Sequence, residues 1–415
     1  MGLNFVEFVF FFYMFLGLYM LSFFVIVFLK NKKDLFNYPK SKVEGVSIVM
    51  PCYNEADSIG EAIESLLALD YPKDKLEIIV VDDQSKDNSA DVVRKYCKKY
   101  KNVKLIINSR NSGGAAEPTN LGVKSAKYDY IAVADADSMP KQDALRKMIG
   151  FLQNDSSVGA VTCSVLVKNP ENNLQRMQAV EYSVIAFTRK LLDMVDAVYV
   201  TPGPFALYRK KILFEVGLFD TKNMTQDIEI VWRLLSHGYK ARMCLATSVY
   251  TKSPDKFKKW FKQRIRWNIG GTQTLLKYAP LIMKKGILGA FIVPFFAVSL
   301  FLGLIGLSLF SYLLVKRILV TYFVTEYSVY ADVTLIHFQN LQDFTFAPSL
   351  LNYFGFVLFI LGTYFTLYGL AFIKDKELGK HKVFNISFYM VIYLALYPLV
   401  LIVSLYKFAR GKYSW

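Results

Sequence analysis

The sequence predicts an α/β domain with a mostly parallel sheet, joined to an α-helical transmembrane region through an interfacial amphipathic helix. Three observations carry this. Long apolar stretches stand near both ends of the 415-residue chain. Between residues 46 and 134, short β-branched runs alternate with segments of helical periodicity. Residues 257–269 then combine an apolar stripe with a basic face.

The composition is 53% hydrophobic and 16% aromatic, with a mean hydropathy of +0.28, which excludes a wholly soluble protein. Residues 4–29 are apolar apart from Glu7, and Lys30, Lys32 and Lys33 follow at once. A signal peptide carries its charge before the apolar core and a cleavage site after it, so this segment reads as a retained anchor. Residues 287–315, 350–373 and 383–405 are the other expected spans; each can cross about 30 Å of hydrocarbon as a helix. The lysines after the first span place residues 34–285 in the cytosol, and Lys374, Lys376, Lys380 and Lys382 mark a second cytosolic loop. Four spans satisfy both, although they leave Lys407, Arg410 and Lys412 on the outer side. A fifth crossing within residues 316–349 would rescue that tail but export the lysine loop, so four are expected. The expected location is therefore the cell membrane, multi-pass, with a cytosolic catalytic domain.

The net charge of +16 is accounted for by an anionic inner leaflet and an anionic nucleotide substrate. A nucleic-acid partner would call for a basic, aromatic-interleaved stripe on the soluble part, yet the clearest such stripe is the interfacial segment, so none is expected. Cys52, Cys97, Cys163 and Cys244 lack paired spacing, which predicts a reduced compartment and no structural zinc. His237 and His381 have no partner at metal-ligand spacing and receive no role.

Strands are expected over 46–51, 76–81, 103–107 and 130–134, and helices over 58–67, 88–101 (capped by Asn88 or Ser89) and 119–126. In sheets of this kind ligands bind at the carboxyl ends of the strands. Three of these strands end in polar residues: Cys52-Tyr53-Asn54-Glu55, Asp82-Asp83 and Asp135-Ala136-Asp137.

Asp135-Ala136-Asp137 can be a solvated turn, but two carboxylates flanking a small residue can also hold Mg²⁺ or Mn²⁺ while leaving room for phosphate oxygens. Its place after an apolar strand, in phase with Asp82-Asp83, favours the metal. Asp82-Asp83 can serve as turn residues, or one carboxylate can accept from the N3–H of uracil. Tyr53 offers a ring to stack on a base, with Asn54 and Glu55 for its edge or the ribose, though the segment also suits an ordinary strand-to-helix turn. Thr225-Gln226-Asp227 opens a helical run, 228–236. It can be an N-cap, and Asp227 can also be a general base that deprotonates an acceptor hydroxyl. In Gln263-Arg264-Ile265-Arg266-Trp267, Arg266 can neutralise a departing diphosphate and Trp267 can stack on a sugar. Around that motif Phe257, Trp260, Phe261, Ile265 and Ile269 share one helical face, and Lys259, Lys262 and Arg266 the other. Thr201-Pro202-Gly203-Pro204-Phe205, by itself, is a loop.

The ordered set resembles the family-2 inverting glycosyltransferases of GT-A fold, in particular the membrane-integrated synthases of cellulose, chitin, hyaluronan and poly-N-acetylglucosamine. Their pattern is an Asp after the second strand, D-x-D, a T/E-x-D-like base motif and Q-x-x-R-W, in that order; the likeness covers about residues 46–276. The resemblance implies that Tyr53, Glu55 and Asp83 (or Asp82) hold uridine. It implies that Asp135 and Asp137 hold diphosphate and metal, with Asp137 the direct ligand, and that Asp227 is the catalytic base. Gln263, Arg266 and Trp267 would bind diphosphate and acceptor, and Gly203-Pro204, with Tyr208-Arg209 beyond, would form an acceptor-side loop. Two departures stand out. Gln226 replaces the usual Glu, and the loop from Asn111 to Asn120 lacks the lysine that such synthases often place after its glycine.

The expected division is 1–33 as N-terminal membrane helix, 44–252 as cytosolic transferase domain, 253–285 as interfacial helix and 286–415 as C-terminal membrane region. The expected activity is metal-dependent transfer of a hexosyl or N-acetylhexosaminyl group from a UDP-sugar to a growing β-linked polysaccharide, with export of the polymer. Its partners are then the UDP-sugar, the polysaccharide (or lipid-linked sugar) acceptor and the lipid bilayer. Alternatives are a non-processive transferase using a polyprenyl phosphate or ceramide-like acceptor, and an inactive membrane scaffold.

Overall fold

The computed structural model describes residues 5–330, 350–373, 382–411 and 413. The chain divides into two compact units, residues 1–26 with 297–366 and residues 27–296 with 367–415.

In the second unit an eight-stranded sheet has the order β3-β2-β1-β4-β7-β6-β8-β5. Its strands are β1 (Val46–Cys52), β2 (Leu76–Asp82), β3 (Val103–Ile107), β4 (Tyr130–Val133), β5 (Ser138–Pro140), β6 (Val158–Val167), β7 (Ala206–Arg209) and β8 (Lys240–Thr251). The four strands read from sequence are β1 to β4, and they form the parallel half. Beyond β4 the sheet is mixed: β7 runs antiparallel to both β4 and β6, β8 is parallel to β6, and β5 is antiparallel to β8. "Mostly parallel" therefore describes the first half better than the second.

Every residue of β1 and β2 is buried, as expected of central strands covered on both faces. The covering helices include α2 (Ile59–Leu67), α3 (Ser89–Lys99), α4 (Ala116–Ser125), α5 (Ala144–Asn154) and α6 (Asn173–Asp193); a short α7 (Lys210–Glu215) follows β7. α2 turns Ile59, Ala62, Ile63 and Leu66 inward, the spacing that buries one helical stripe. Asn88 sits at the N-cap position of α3, but its side chain makes no cap bond. Ser89 instead donates to Asp87 and accepts from the Glu55 amide, so neither residue caps as expected. Around Gly122 in α4 the fit is close, because an added methyl would lie 2.3 Å from Val49 of β1.

After β7 and α7 come α8 (Gln226–Ser236) and the long α9 (Phe257–Tyr278). Trp260, Ile265 and Ile269 of the expected apolar stripe are buried and Lys259 and Lys262 are exposed, while Phe257 is 53% exposed and Arg264 lies buried among the apolar residues.

Among the described residues three helices are long and apolar enough to cross a membrane: Glu7–Asn31, Leu288–Phe323 and Tyr353–Ile373. They lie in α1 (Phe5–Asn31), in a π turn running into α10 (Val293–Tyr330), and in α11 (Leu350–Ile373). Within the first unit, α1 approaches α11 where Gly17 faces Leu358, and approaches α10 where Tyr13 lies over Gly306. The fourth expected span is helical but not uniform. It consists of α12 (Lys382–Phe388), a π turn (Tyr389–Tyr393) and α13 (Leu394–Ala409), with Leu396–Ala409 as a shorter apolar helix. Tyr389, Tyr393 and Asn385 of this run are buried in protein contacts. Of the expected cytosolic loop, Lys382 begins α12, while Lys374, Lys376 and Lys380 lie outside the described residues, as do His381, Lys412 and residues 331–349 of the excluded fifth crossing.

Candidate active site

Strands β2, β1 and β4 are adjacent and parallel, so their carboxyl ends open on one edge. The three polar strand ends are thereby brought together.

At the nucleotide end, two loops are laced to each other. The Asn54 amide donates to Ser85 Oγ at 2.9 Å, the Lys86 amide to Asn54 Oδ1 at 2.7 Å, and the Glu55 amide to Ser89 Oγ at 2.8 Å. Asn54 reaches its place with φ 56°, a left-handed conformation that Asn tolerates. Tyr53 beside it is 43% exposed, its ring free to meet a flat ligand. Asp82 and Asp83 divide the work. Asp83 accepts from Asn108 Nδ2 at 2.6 Å and from the Ser112 amide and hydroxyl at 2.9 and 2.7 Å. That carboxylate is spent on holding the loop that begins at Asn111. Asp82 receives the Ser85 amide on Oδ2 at 3.2 Å, while its Oδ1 is buried without a partner. A buried acceptor left unmatched costs about 1–3 kcal/mol, so Asp82 is the pair's open position for an N–H donor.

At the other end the carboxylates crowd. Burial pushes the Asp135 carboxyl up to about 8, and Asp137, Asp227 and Glu55 push it the same way against Arg266. Asp137, Asp227 and Glu55 are each raised, again first by burial. Asp137 Oδ1 is held by Ser138 Oγ at 3.1 Å and Thr251 Oγ1 at 3.2 Å, a consequence of the Ser138–Thr251 pairing between β5 and β8. Gly203 closes over Asp135 so nearly that a methyl there would sit 2.7 Å from both carboxylate oxygens. The loop of Gly203 and Pro204 is thus a wall of the carboxylate pocket. Tyr208 supports it from β7 through a 2.7 Å bond with Thr201 Oγ1, whereas Arg209 turns away to backbone carbonyls of Val158 and Asp155.

Asp227 stands in the first turn of α8. Thr225 occupies the N-cap position without a side-chain cap bond, so the expected capping is not made. Asp227 is half-buried; burial raises its carboxyl, while Arg266 favours its charged form, as does Arg189 of α6. Gln226 also points inward, with Oε1 buried and unpartnered. α9 can approach this turn because residue 270 is glycine: a methyl there would lie 2.2 Å from Thr225 Oγ1. Gly270 stands one helical turn beyond Arg266, so the contact brings Arg266 close to Asp227. Trp267 lies 6.5 Å from the Tyr182 ring, and Tyr182 in turn senses Asp137. Gln263 is partly buried beside Arg264, with which it bonds at 2.7 Å.

The structure therefore draws Glu55, Asp135, Asp137, Asp227, Gly203, Arg266 and Trp267 into one region, with Tyr53, Asp82 and Asp83 on the laced loops beside it. Sequence reasoning missed Tyr182 and Arg189, which lie on a helix that buries polar and apolar residues alike on several faces, so no single stripe reveals its inward side. It also missed Lys252, an exposed residue whose charge favours the ionised forms of Glu55 and Asp137. The Asp135–Asp137 pair fits a hard divalent cation. Burial raises both carboxyls, neighbouring carboxylates raise Asp135 further, and both offer oxygen to an ion that shares substrate oxygens. Among the described residues no cluster of three or more His, Cys, Asp or Glu side chains forms a ready metal cage.

The profile of glycosyl transferase family 2 matches residues 47–217. A poly-β-1,6-N-acetyl-D-glucosamine synthase of Staphylococcus aureus is 34% identical over 248 residues, 60% of this chain and 59% of that protein's own length. The synthase of the same description from Staphylococcus epidermidis is 31% identical over 326 residues, 76% of this chain and 77% of its own length. A solved mannosyltransferase from Pyrobaculum calidifontis, in complex with GDP-Man and Mn²⁺, shares the fold at 20% identity and TM-score 0.52, covering 79% of this chain and 95% of that one. With the motifs in family order on a GT-A sheet and a relative matched along three quarters of both chains, the protein belongs to glycosyl transferase family 2.

Proposed function

We propose that this protein is a processive inverting glycosyltransferase. It transfers an N-acetylhexosamine from a UDP-sugar at the cytosolic face to a growing β-linked polysaccharide. The observation that carries the reading is the convergence of Glu55, Asp135, Asp137 and Asp227 with Arg266 in one desolvated pocket. The names of the staphylococcal relatives favour N-acetylglucosamine as the sugar.

In this reading Tyr53 stacks on uracil, and Asp82 or Asp83 accepts its N3–H, with Asp82 Oδ1 the open acceptor. Asp137, and Asp135 with it, would hold Mg²⁺ or Mn²⁺ against the diphosphate. A bound divalent cation would offset the diphosphate charge and stabilise the leaving group. Asp227, raised by burial toward the working pH, takes the proton from the acceptor hydroxyl. The hydroxyl oxygen then bonds to the anomeric carbon as the bond to the diphosphate breaks, and UDP leaves with that electron pair. A single displacement on an α-linked donor gives a β-linked product. Arg266 and Lys252 supply fixed positive charge to the departing diphosphate, Lys252 taking the part left open by the lysine-free loop at Asn111.

The proposed organisation is residues 1–33 as a membrane helix, 44–252 as the cytosolic transferase domain, 253–285 as the interfacial helix and 286–415 as the C-terminal membrane region that exports the polymer. Purified protein in detergent, given a panel of labelled UDP-sugars with Mn²⁺ and its products sized, tests the reading. A polymer ladder from one UDP-sugar is expected. A single lipid-sugar species would replace it with the lipid-acceptor reading, and no donor turnover at all would leave a scaffold.

A further inference from the structure

The geometry points to Arg264, which no motif position assigns, as the positioning residue of the acceptor site, tying Gln263 and Trp267 to the last helical segment of the chain. This rests on the proposed function for the identity of the acceptor, but the contacts stand by themselves. The Arg264 guanidinium lies 4.0 Å from the centre of the Trp267 ring and donates to Gln263 Oε1 at 2.7 Å. A cation at that distance occupies one face of an indole. A sugar can therefore stack only on the opposite face, and the ring cannot rotate without losing its cation. The bond to Gln263 commits the amide oxygen, leaving its NH₂ as the group offered to substrate oxygens.

Arg264 is itself braced. It is 1% exposed and paired with Glu181 of α6. It donates to Tyr397 Oη at 3.0 Å and to Tyr393 Oη at 3.3 Å, and both tyrosines also donate to Glu181. Trp260 Nε1 donates to the same Tyr393 hydroxyl at 2.5 Å. The two tyrosines stand one helical turn apart in the segment that ends in α13. A planar, multi-donor guanidinium serves this node; an ammonium, with three donors, cannot stack on the indole and also bond Gln263, Glu181, Tyr393 and Tyr397.

The experiment compares wild type, Arg264→Lys and Tyr397→Phe as full-length protein in detergent. It measures the Kd for UDP with Mn²⁺ and the length distribution of polymer made from labelled UDP-N-acetylglucosamine. Expected are an unchanged UDP Kd in both variants, and mean product length shortened about tenfold in Arg264→Lys and about twofold in Tyr397→Phe. If Arg264→Lys does not fold, Tyr397→Phe decides, because it keeps the buried ion pair. Wild-type product length in a folded Arg264→Lys protein, or in Tyr397→Phe when the first variant is lost, overturns the inference. So does a rise in UDP Kd that matches the loss of product. A wild-type protein that makes no polymer overturns the parent reading instead, a separate outcome.

Discussion

Asp82-Asp83 and Asp135-Ala136-Asp137 end neighbouring parts of one sheet, yet their surroundings differ in kind. The first pair is buried among donors: loop amides, hydroxyls and an asparagine fill all but one of the acceptor positions. The second is half-buried beside other carboxylates, and its charged form is disfavoured. One arrangement is hydrogen-bonded at every carboxylate oxygen but Asp82 Oδ1, the position that the proposed function gives to a base edge. In the proposed function the other is completed by positive charge, so that binding of the donor there would be coupled to binding of a cation.

The difference can be broken from the crowded side first. Asp227→Asn should abolish transfer, lowering kcat by about 10³-fold or more, while the UDP Kd measured by titration stays near wild type. A variant that still elongates removes Asp227 from the chemistry. Asp137→Ala should weaken Mn²⁺-dependent UDP binding about 10²-fold, with the metal-free affinity little changed. On the receptor side the effects are smaller and should separate the two adjacent aspartates. Asp82→Ala should raise the donor KM about tenfold without loss of stability. Asp83→Ala should lower unfolding stability by about 2 kcal/mol, because three donors lose their acceptor. Equal thermal shifts in the two variants would erase the distinction. Tyr53→Ala should raise the donor KM about fivefold through loss of stacking, and a wild-type KM would leave the ring without a role.

The smallest effect is in pH. Asp135 binds its proton more tightly folded than unfolded, so its contribution to stability is complete below the ordinary value of 3.8 and is lost as pH rises through about 8. Melting in EDTA across that window should show a falling Tm, less steep in Asp135→Asn, and Mn²⁺ should restore more stability at the alkaline end. A metal-free Tm that is flat with pH would mean that the pocket is better solvated than its burial implies.

The parallel half of this architecture was legible because β1, β2 and β4 are short apolar runs that end abruptly in polar residues. The mixed half was not. β5 is three residues long, and β8 alternates too little to show a face. Helix α6 buries Gln178, Glu181, Arg189, Lys190 and Asp193, so polarity there marks the interior. At the site, the carboxylates and Trp267 were readable from chemistry and order. Gly270, Lys252 and Arg264 were not, because a close helix crossing, a neighbouring loop charge and a ring-capping guanidinium depend on the tertiary path. The last segment was read as a span, but the contacts of its tyrosine hydroxyls with Glu181 and Arg264 left no trace in the pattern.

Glu229 of α8 accepts from Lys277 at 2.7 Å and from Tyr278 at 3.0 Å, at the far end of α9 from the contact at Gly270. The two helices are thus joined twice, at Thr225 against Gly270 and, one turn on in α8, at Glu229. In the proposed function the proton acceptor rides on α8 and the leaving-group cation on α9, so a displacement of α9 would carry both together and preserve their spacing. Changes in lipid thickness should then alter how readily substrates enter more than how fast the bound pair reacts.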